Sequence, residues 1–281
     1  MKTVVKSYAK INLSLNVYGL NNGYHDLDTV VVSVGLADTI KLKKRKDKEI
    51  KIKMKGYDIP LKENNAYKAA KLFEDEFATN GADIEIIKKI PIGGGLGGSS
   101  ADSAGVLRAM AKAYGISSDL KPLADKLGSD TAYQLSGGFA RLKGRGTDIE
   151  ILKDPPSFYV VLALVGGGVN TKECYALFDR LNRAELADND KLIEDIFAAS
   201  FGEAAKNCIN GLYYPAAELN SEINRSYEKI KKTCPCMSGM TGSGSTLFAV
   251  YGSRKEAYSA AKKLKGDGLN VVVTKTIKLY N

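Results

Sequence analysis

The sequence of 281 residues predicts an α+β fold divided into two domains. Three observations support this prediction. Stretches of alternating polar and apolar residues are typical of strands, and segments with helical spacing lie between them. The pair Pro155-Pro156 follows Asp154 and is typical of a linker. We therefore expect domains at residues 1–154 and 155–281, with helices covering an antiparallel sheet in the second.

The first domain is expected to begin with strands and to alternate with helices afterwards. Its predicted strands are residues 9–20, 28–44, 82–90, 137–146 and 147–153. Its predicted helices are residues 64–81 and 101–115, each ending at a glycine. The stretch TIKLKKRKDKEIKIKMKG, residues 39–56, alternates throughout and predicts a hairpin with one solvated face.

The second domain is expected to follow the linker with a buried strand and then several helices. Its predicted strands are residues 157–168, 245–252 and 269–277. Its predicted helices are residues 171–182, 190–200, 217–232 and 253–265.

The composition is that of an ordinary globular protein, with 44% hydrophobic and 26% charged residues. No apolar run reaches the roughly 18 residues of a membrane-spanning helix. The segment MKTVVKSYAKINL is too charged for a signal peptide, so we expect a cytoplasmic protein with no membrane partner. The four cysteines lack zinc-ligand spacing. Cys234 and Cys236 are spaced as a redox pair would be, although ordinary reduced thiols are favoured.

The net charge of +9 favours an anionic ligand. A nucleic-acid partner is not expected, because no aromatic residues are interleaved with the basic cluster at residues 41–46. Small phosphate-bearing molecules fit the charge equally well. The sequence therefore directs attention to stretches whose backbone is able to bind phosphate.

One such stretch is PIGGGLGGSSADSAG, residues 91–105, with five glycines within six residues. Bare backbone lets N–H groups approach phosphate oxygens, and the positive end of the following helix attracts the anion. The spacing of Gly93, Gly95 and Gly98 also matches a dinucleotide fingerprint, with Asp119 as its acidic residue. That reading is disfavoured, because no apolar parallel strand ending in an acidic residue follows the helix. A tight turn without a ligand is the remaining alternative.

The glycine stretch resembles the phosphate loop of the GHMP kinases, a superfamily of small-molecule kinases. The resemblance implies a two-domain fold: an N-terminal domain like domain 2 of ribosomal protein S5, and a C-terminal ferredoxin-like α/β sandwich. It also implies ATP and Mg²⁺ as cofactors, without identifying the metal ligands. The residues that it implies for ATP binding are Asn64, Pro91, Ile92, Gly93, Gly94, Gly95, Leu96, Gly97, Gly98, Ser99, Ser100 and Ala101.

Further motifs are similar to one branch of this superfamily. They are AKINL, GYHDL, LGSDTAYQLSGG, VNTKECYALFD and MTGSGSTLFAVY, in order from residue 8 to about residue 251. That branch phosphorylates the 2-hydroxyl of cytidylyl-methylerythritol in the non-mevalonate isoprenoid pathway. The resemblance implies that Lys10 lies beside the acceptor hydroxyl and that Asp130 is the catalytic base. By their local context alone, Lys10 would be a solvated strand residue and Asp130 a helix cap.

The same resemblance implies a site for the small-molecule substrate. Tyr24 and Tyr175 would stack on the cytosine, and His25, the only histidine, would bind the edge of the base. The other residues implied to contact the substrate are Asn12, Thr171, Gly242 and Ser243. A tyrosine within a helix is otherwise most often a core residue, and a Gly-Ser stretch before a strand is otherwise an ordinary turn.

The chain departs from the family pattern at three places. Ser99 replaces a glycine and Ala101 replaces a serine in the phosphate loop, and Thr131-Ala132-Tyr133 replaces Val-Pro-Phe. The third is Tyr213, where the family has an acidic residue after the asparagine near position 210. Two alternatives follow from these departures. One is another kinase of the superfamily, of the homoserine or phosphomevalonate type, although such substrates carry no base for an aromatic clamp. The other is a non-catalytic paralogue, which the presence of both Lys10 and Asp130 disfavours.

Overall fold

The computed structural model describes residues 2–21, 23–55, 59–60, 63–181, 183 and 185–278. Within them, the first part of the chain forms one mixed sheet with helices on one face. Its strands are β1 (Lys2–Asn12), β2 (Asn16–Asn21), β3 (Tyr24–Lys44), β4 (Lys51–Met54), β5 (Ala82–Ile87), β6 (Phe139–Gly144) and β7 (Asp148–Ile151). Its helices are α1 (Asn65–Phe77), α2 (Gly98–Tyr114), α3 (Lys121–Asp125) and α4 (Ser129–Ser136).

The long strand β3 lies at the centre of this sheet. It pairs with β1 and β2 along one edge and with β5 and β6 along the other, all antiparallel. The predicted hairpin over residues 39–56 is wrong, because β5 lies between β3 and β4 and pairs with both. The connecting segment wraps around the start of β5 instead: Arg45 donates a hydrogen bond to Asp83, and its backbone N–H donates to the Gly81 carbonyl.

Element boundaries differ from the prediction where the chain meets another element. The single strand expected over residues 9–20 is two strands, because Leu15 leaves the sheet to exchange hydrogen bonds with Ile209 and Gly211. Helix α1 ends at Phe77 rather than near Gly81, and its C-cap Ala78 has the left-handed conformation (φ 50°). Helix α2 ends at Gly115 (φ 72°) as predicted, and the Gly115 N–H donates to the Ala111 carbonyl.

The second part of the chain forms an antiparallel sheet covered by helices, as predicted. Its strands are β8 (Tyr159–Ala163), β9 (Met237–Met240), β10 (Leu247–Tyr251) and β11 (Val271–Lys275). Its helices are α5 (Thr171–Leu181), α6 (Asn189–Phe197), α7 (Phe201–Ala204), α8 (Tyr213–Leu219), α9 (Glu222–Lys231) and α10 (Arg254–Gly266). The order β11-β8-β10-β9 is that of a ferredoxin-like sheet. The helix expected over residues 217–232 is broken at Asn220, and β9 was not predicted.

The two sheets share one apolar core. Ile11 and Val32 of the first sheet are fully buried against Val160 of β8 and Phe248 of β10. A second cluster fills the space between the first sheet and helices α1 and α2, and a third lies between the second sheet and its own helices. No helix among the described residues is long and apolar enough to cross a membrane.

Candidate active site

The glycine stretch after β5 forms a loop that lies directly on β1 and on a second glycine loop, residues 241–246. The Lys10 N–H donates to the Leu96 carbonyl (3.0 Å), and the Thr241 hydroxyl donates to the Gly95 carbonyl (3.1 Å). A Cβ on Gly95 would collide with the Thr241 carbonyl oxygen, and one on Gly242 would lie 3.1 Å from Gly95 Cα. The two loops therefore need glycine in order to approach each other.

Helix α2 begins at Gly98, a little earlier than expected, and Gly97 is its N-cap in the left-handed conformation (φ 69°). No side chain caps this end, so the first N–H groups of α2 remain available to an anion. Ala101, expected in the phosphate site, lies outside it: its N–H donates to the Gly97 carbonyl, and its side chain is buried in the core.

A cavity of about 300 Å³ opens in front of this loop, and we call it the loop cavity. It is lined by the predicted residues from Pro91 to Ser100 and by Asn64. Met54, Ile59 and Ile92 add an apolar wall, and Ile92 is 55% exposed. A helix start whose N–H groups no side chain caps, beside an apolar wall, suits a molecule with a phosphate part and a flat ring.

Asn64 has a structural role beside the loop cavity. Its side-chain oxygen accepts from the Ala66 N–H (2.9 Å) and so caps α1, and its Nδ2 lies 3.2 Å from Met54 Sδ. The neighbouring Asn65, which the sequence did not single out, donates to the Ser99 hydroxyl (2.9 Å). The serine that departs from the family pattern therefore ties the loop to α1.

At the wall of the loop cavity, Lys88 lies buried between two carboxylates. Its Nζ is 2.5 Å from Asp38 Oδ2 and 2.6 Å from Asp102 Oδ2. Burial raises the pKa of Asp102 to about 7, and Asp38 adds to this shift while Lys88 opposes it. The two carboxylates raise the pKa of Lys88 against the effect of its burial, so this side chain stays charged. Sequence reasoning did not identify this cluster, whose members are distant along the chain.

Lys10 and Asp130, 120 positions apart, form an ion pair at the other side of the loop. Lys10 Nζ lies 3.4 Å from Asp130 Oδ2, with Lys10 almost buried and Asp130 37% exposed. Asp130 is in the first turn of α4, whose N-cap is Gly128, so Asp130 is not a helix cap. A Cβ on Gly97 would lie 3.0 Å from Lys10 Cγ, which places this lysine against the loop.

Asn12 connects this ion pair to the second glycine loop. Its Oδ1 accepts from Lys10 Nζ (2.7 Å) and from the Gly242 N–H (3.0 Å), while its Nδ2 donates to the Thr29 hydroxyl (2.9 Å). Asn12 is buried, and its oxygen is already engaged. Asn12 therefore links Lys10 to the second glycine loop and fixes their relative positions.

A second cavity, of about 240 Å³, lies beside the ion pair, and we call it the acceptor cavity. Lys10, Asn12, Asp130, Thr171, Tyr175, Gly242 and Ser243 line it, together with Arg145 and several apolar residues. Gly95 and Gly97 line both this cavity and the loop cavity. The two cavities therefore meet at the glycine loop, beside the ion pair of Lys10 and Asp130.

The first turn of α5 forms one wall of the acceptor cavity. Thr171, its first residue, shares a hydrogen bond with the Ser243 hydroxyl (2.8 Å), so α5 and the second glycine loop are joined there. Burial raises the pKa of Tyr175, and the charge of Asp130 raises it further. Tyr175 is thus electrostatically close to the ion pair, and its phenol stays neutral.

Tyr24 and His25 do not line the acceptor cavity, but both contact residues that do. The His25 ring lies 4.9 Å from the Tyr175 ring, centroid to centroid, and its Nε2 is 2.7 Å from Asp179 Oδ1. The Arg145 guanidinium lies 3.6 Å from the centroid of the Tyr24 ring. Arg145 and Asp179 were both missed from the sequence, because nothing in their local pattern distinguishes them from surface charges.

The departure at Thr131-Ala132-Tyr133 is accommodated in the core. Tyr133 is fully buried, and its hydroxyl bonds to the Ser33 hydroxyl (2.9 Å) and to the Gly138 carbonyl (2.8 Å). Thr131 and Ala132 are buried as well. This change therefore lies on the buried face of α4 rather than in either cavity.

Two family models match the chain. The model of the GHMP kinases N terminal domain matches residues 64–149, and the model of the GHMP kinases C terminal matches residues 191–268. A solved homoserine kinase from Cytophaga hutchinsonii shares the fold, with a TM-score of 0.72 at 18% identity over 99% of this chain and 96% of its own. Fold and site thus define a small-molecule kinase of the GHMP class, a class that uses ATP.

Proteins with higher sequence identity to this chain identify one family within this class. The 4-diphosphocytidyl-2-C-methyl-D-erythritol kinases of Clostridium beijerinckii and Clostridium tetani are 33% and 35% identical, each over 97% of this chain and 99% of the relative. A crystal structure of 4-(cytidine 5'-diphospho)-2C-methyl-D-erythritol kinase has a TM-score of 0.84 at 27% identity, covering 97% of this chain and 98% of the other. The chain belongs to the 4-diphosphocytidyl-2-C-methyl-D-erythritol kinase family.

Proposed function

We propose that this protein transfers the γ-phosphoryl group of ATP to the 2-hydroxyl of 4-(cytidine 5'-diphospho)-2-C-methyl-D-erythritol. The observation that carries the proposal is the meeting of two cavities at Gly95 and Gly97, with Lys10 and Asp130 lining one of them. Phosphoryl transfer depends mainly on positioning and on charge stabilisation, and two adjoining cavities allow donor and acceptor to approach in line.

ATP would bind in the loop cavity. Its phosphates would accept hydrogen bonds from the free N–H groups at the start of α2, and the adenine would pack on Met54, Ile59 and Ile92. The Ser99 and Ser100 hydroxyls line the same cavity and are oxygen donors of the kind Mg²⁺ accepts beside phosphates. Mg²⁺, when bound, would neutralise charge on the transferred phosphoryl group.

The acceptor hydroxyl would lie beside Lys10 and Asp130. The Asp130 carboxylate would accept the hydroxyl proton as the oxygen attacks, and the Lys10 side chain, 3.4 Å away, would orient that carboxylate. Asn12 would hold Lys10 in place through its 2.7 Å hydrogen bond.

The remainder of the substrate would extend through the acceptor cavity. Its diphosphate would meet the first turn of α5 at Thr171, together with Gly242, Ser243 and Arg145. The cytosine would lie among Tyr24, His25 and Tyr175. Arg145 covers one face of Tyr24 in the structure, so the base would either displace it or use the opposite face.

A single assay tests this proposal. Purified protein with ATP and Mg²⁺ is offered the cytidylyl-methylerythritol, homoserine, mevalonate phosphates and galactose in turn, and ADP release is measured. We expect turnover of the cytidylyl compound alone. Preferred turnover of a base-free alcohol would assign another specificity within the class, and no turnover of any compound would support a non-catalytic role.

A further inference from the structure

His25 is held in one orientation by three residues of α5. Asp179 Oδ1 lies 2.7 Å from its Nε2, the Tyr175 ring is tilted against it at 4.9 Å, and the Phe178 edge meets it at 5.8 Å. The His25 side chain is only 8% exposed, whereas that of Asp179 is 43% exposed. The ring is therefore packed on both sides, with its carboxylate partner at the surface.

This hydrogen bond determines which ring nitrogen carries a proton. An ionised carboxylate only accepts hydrogen bonds, so the proton between the two groups belongs to His25 Nε2. In the neutral ring the other nitrogen, Nδ1, is then a bare acceptor. Without Asp179 the ring would be free to take either tautomer.

We infer that Asp179 sets the preference of this enzyme for cytosine over uracil by holding His25 as the Nε2–H tautomer. The inference rests on the proposed function. The His25 Nδ1 lone pair accepts a hydrogen bond from the 4-amino group of cytosine. Uracil has a carbonyl oxygen at that position, so the same Nδ1 faces another acceptor and repels it. Asp179 is thus a positioning residue that acts through His25.

The first test compares substrates. The ratio of kcat/KM for the cytidylyl substrate to kcat/KM for its uridylyl analogue is measured in the wild type and in Asp179→Asn. The amide of asparagine both donates and accepts, so it no longer selects a tautomer. We expect the ratio to fall about tenfold, the size of one hydrogen bond, with the KM for ATP unchanged.

The matched control is Asp75→Asn, which removes a carboxylate from an exposed ion pair with Lys71 on α1, outside both cavities. It should keep the wild-type ratio. A ratio in Asp179→Asn within twofold of the wild type would overturn the inference while leaving the proposed function intact. A wild type that phosphorylates neither compound would overturn the proposed function and the inference together.

The second test needs no substrate. Because His25 is the only histidine, a ¹⁵N spectrum of its ring in the labelled protein reports its tautomer without ambiguity. In the neutral ring we expect the proton on Nε2 and none on Nδ1, and loss of that single tautomer in Asp179→Asn. A neutral wild-type ring with its proton on Nδ1 would overturn the inference whatever the kinetics show.

Discussion

Asp130 lies in the first turn of α4 and pairs with Lys10, yet it caps nothing, so its removal should affect chemistry more than folding. We expect Asp130→Asn to lower kcat by about 10²- to 10⁴-fold, because the proposed general base and its charge are lost. The KM for ATP should change little, since Asp130 does not line the loop cavity. Steady-state kinetics with both substrates measure this.

A control for Asp130→Asn exists nearby. Asp125 forms an exposed ion pair with Lys121 (2.9 Å) on α3, away from both cavities. Asp125→Asn removes the same kind of group and should leave kcat unchanged. Wild-type turnover by Asp130→Asn would assign the Lys10 pair a purely structural role.

Tyr175 belongs to the proposed cytosine site, since it lines the acceptor cavity and packs on His25. Stacking of a base on an aromatic ring is worth about 1–3 kcal/mol, so Tyr175→Ala should raise the KM for the cytidylyl substrate roughly 5- to 150-fold. The KM for ATP should not change. Tyr258→Ala, a truncation of an exposed tyrosine on α10, is the control. An unchanged KM in Tyr175→Ala would mean that the cytosine does not stack on this ring.

At the scale of elements, the glycine loop offers a matched pair of substitutions. Gly93 (φ 71°) and Gly97 (φ 69°) have nearly the same left-handed conformation, so alanine strains both alike, by roughly 1–2 kcal/mol. A methyl group on Gly93 meets nothing within 4 Å, whereas one on Gly97 lies 3.0 Å from Lys10 Cγ.

We therefore expect Gly97→Ala to lose more stability than Gly93→Ala and to differ from it in catalysis as well. Gly97→Ala should lower kcat at least tenfold more than Gly93→Ala, because displacing Lys10 disturbs its pairing with Asp130. Thermal unfolding and kinetics of the two variants measure this difference. Equal kcat values would mean that the loop and Lys10 are not coupled.

The buried cluster of Asp38, Lys88 and Asp102 joins β3, the segment after β5 and α2, and its titration should be visible in stability. Burial raises the pKa of Asp102 from 3.8 to about 7 in the folded protein. The folded state therefore holds a proton more tightly than the unfolded chain. The stability that protonated Asp102 contributes is fully present below about pH 4 and is lost as the pH rises through about 7.

The measurement is the free energy of unfolding in urea, without nucleotide, between pH 4.5 and 8.5. Asp102→Asn cannot titrate, so the difference between wild type and variant should shift steadily in favour of the variant up to about pH 7 and then level off. A difference independent of pH would mean that Asp102 titrates normally in the folded protein.

At the scale of the whole molecule, the two predicted domains are joined by a common core. Ile11 and Val32 would be exposed without Val160 and Phe248, which belong to the second domain. We expect the full chain to unfold in one cooperative transition, and residues 1–154 alone to lack a cooperative transition. Circular dichroism and calorimetry measure both. Two separate transitions in the full chain would show that the domains are independent.

Several features were predictable from the sequence because their causes are local. The period of the apolar residues predicted most strands and helices, and Gly115 predicted the end of α2. The density of glycines predicted a loop of bare backbone before α2, and its binding of phosphate stays a prediction. Ordered motifs along the chain predicted the kinase class that the family models confirm.

Tertiary structure alone decided the rest, because it brings together residues whose separation along the chain carries no signal. Alternation in residues 39–56 predicted two paired strands, but in the fold β5 pairs with both β3 and β4 and so separates them. Asp179 and Arg145 resemble ordinary surface charges until the fold brings them to His25 and Tyr24. Lys88 becomes part of a buried cluster only when packing excludes water around it, and burial, unlike periodicity, is a property of the folded chain as a whole.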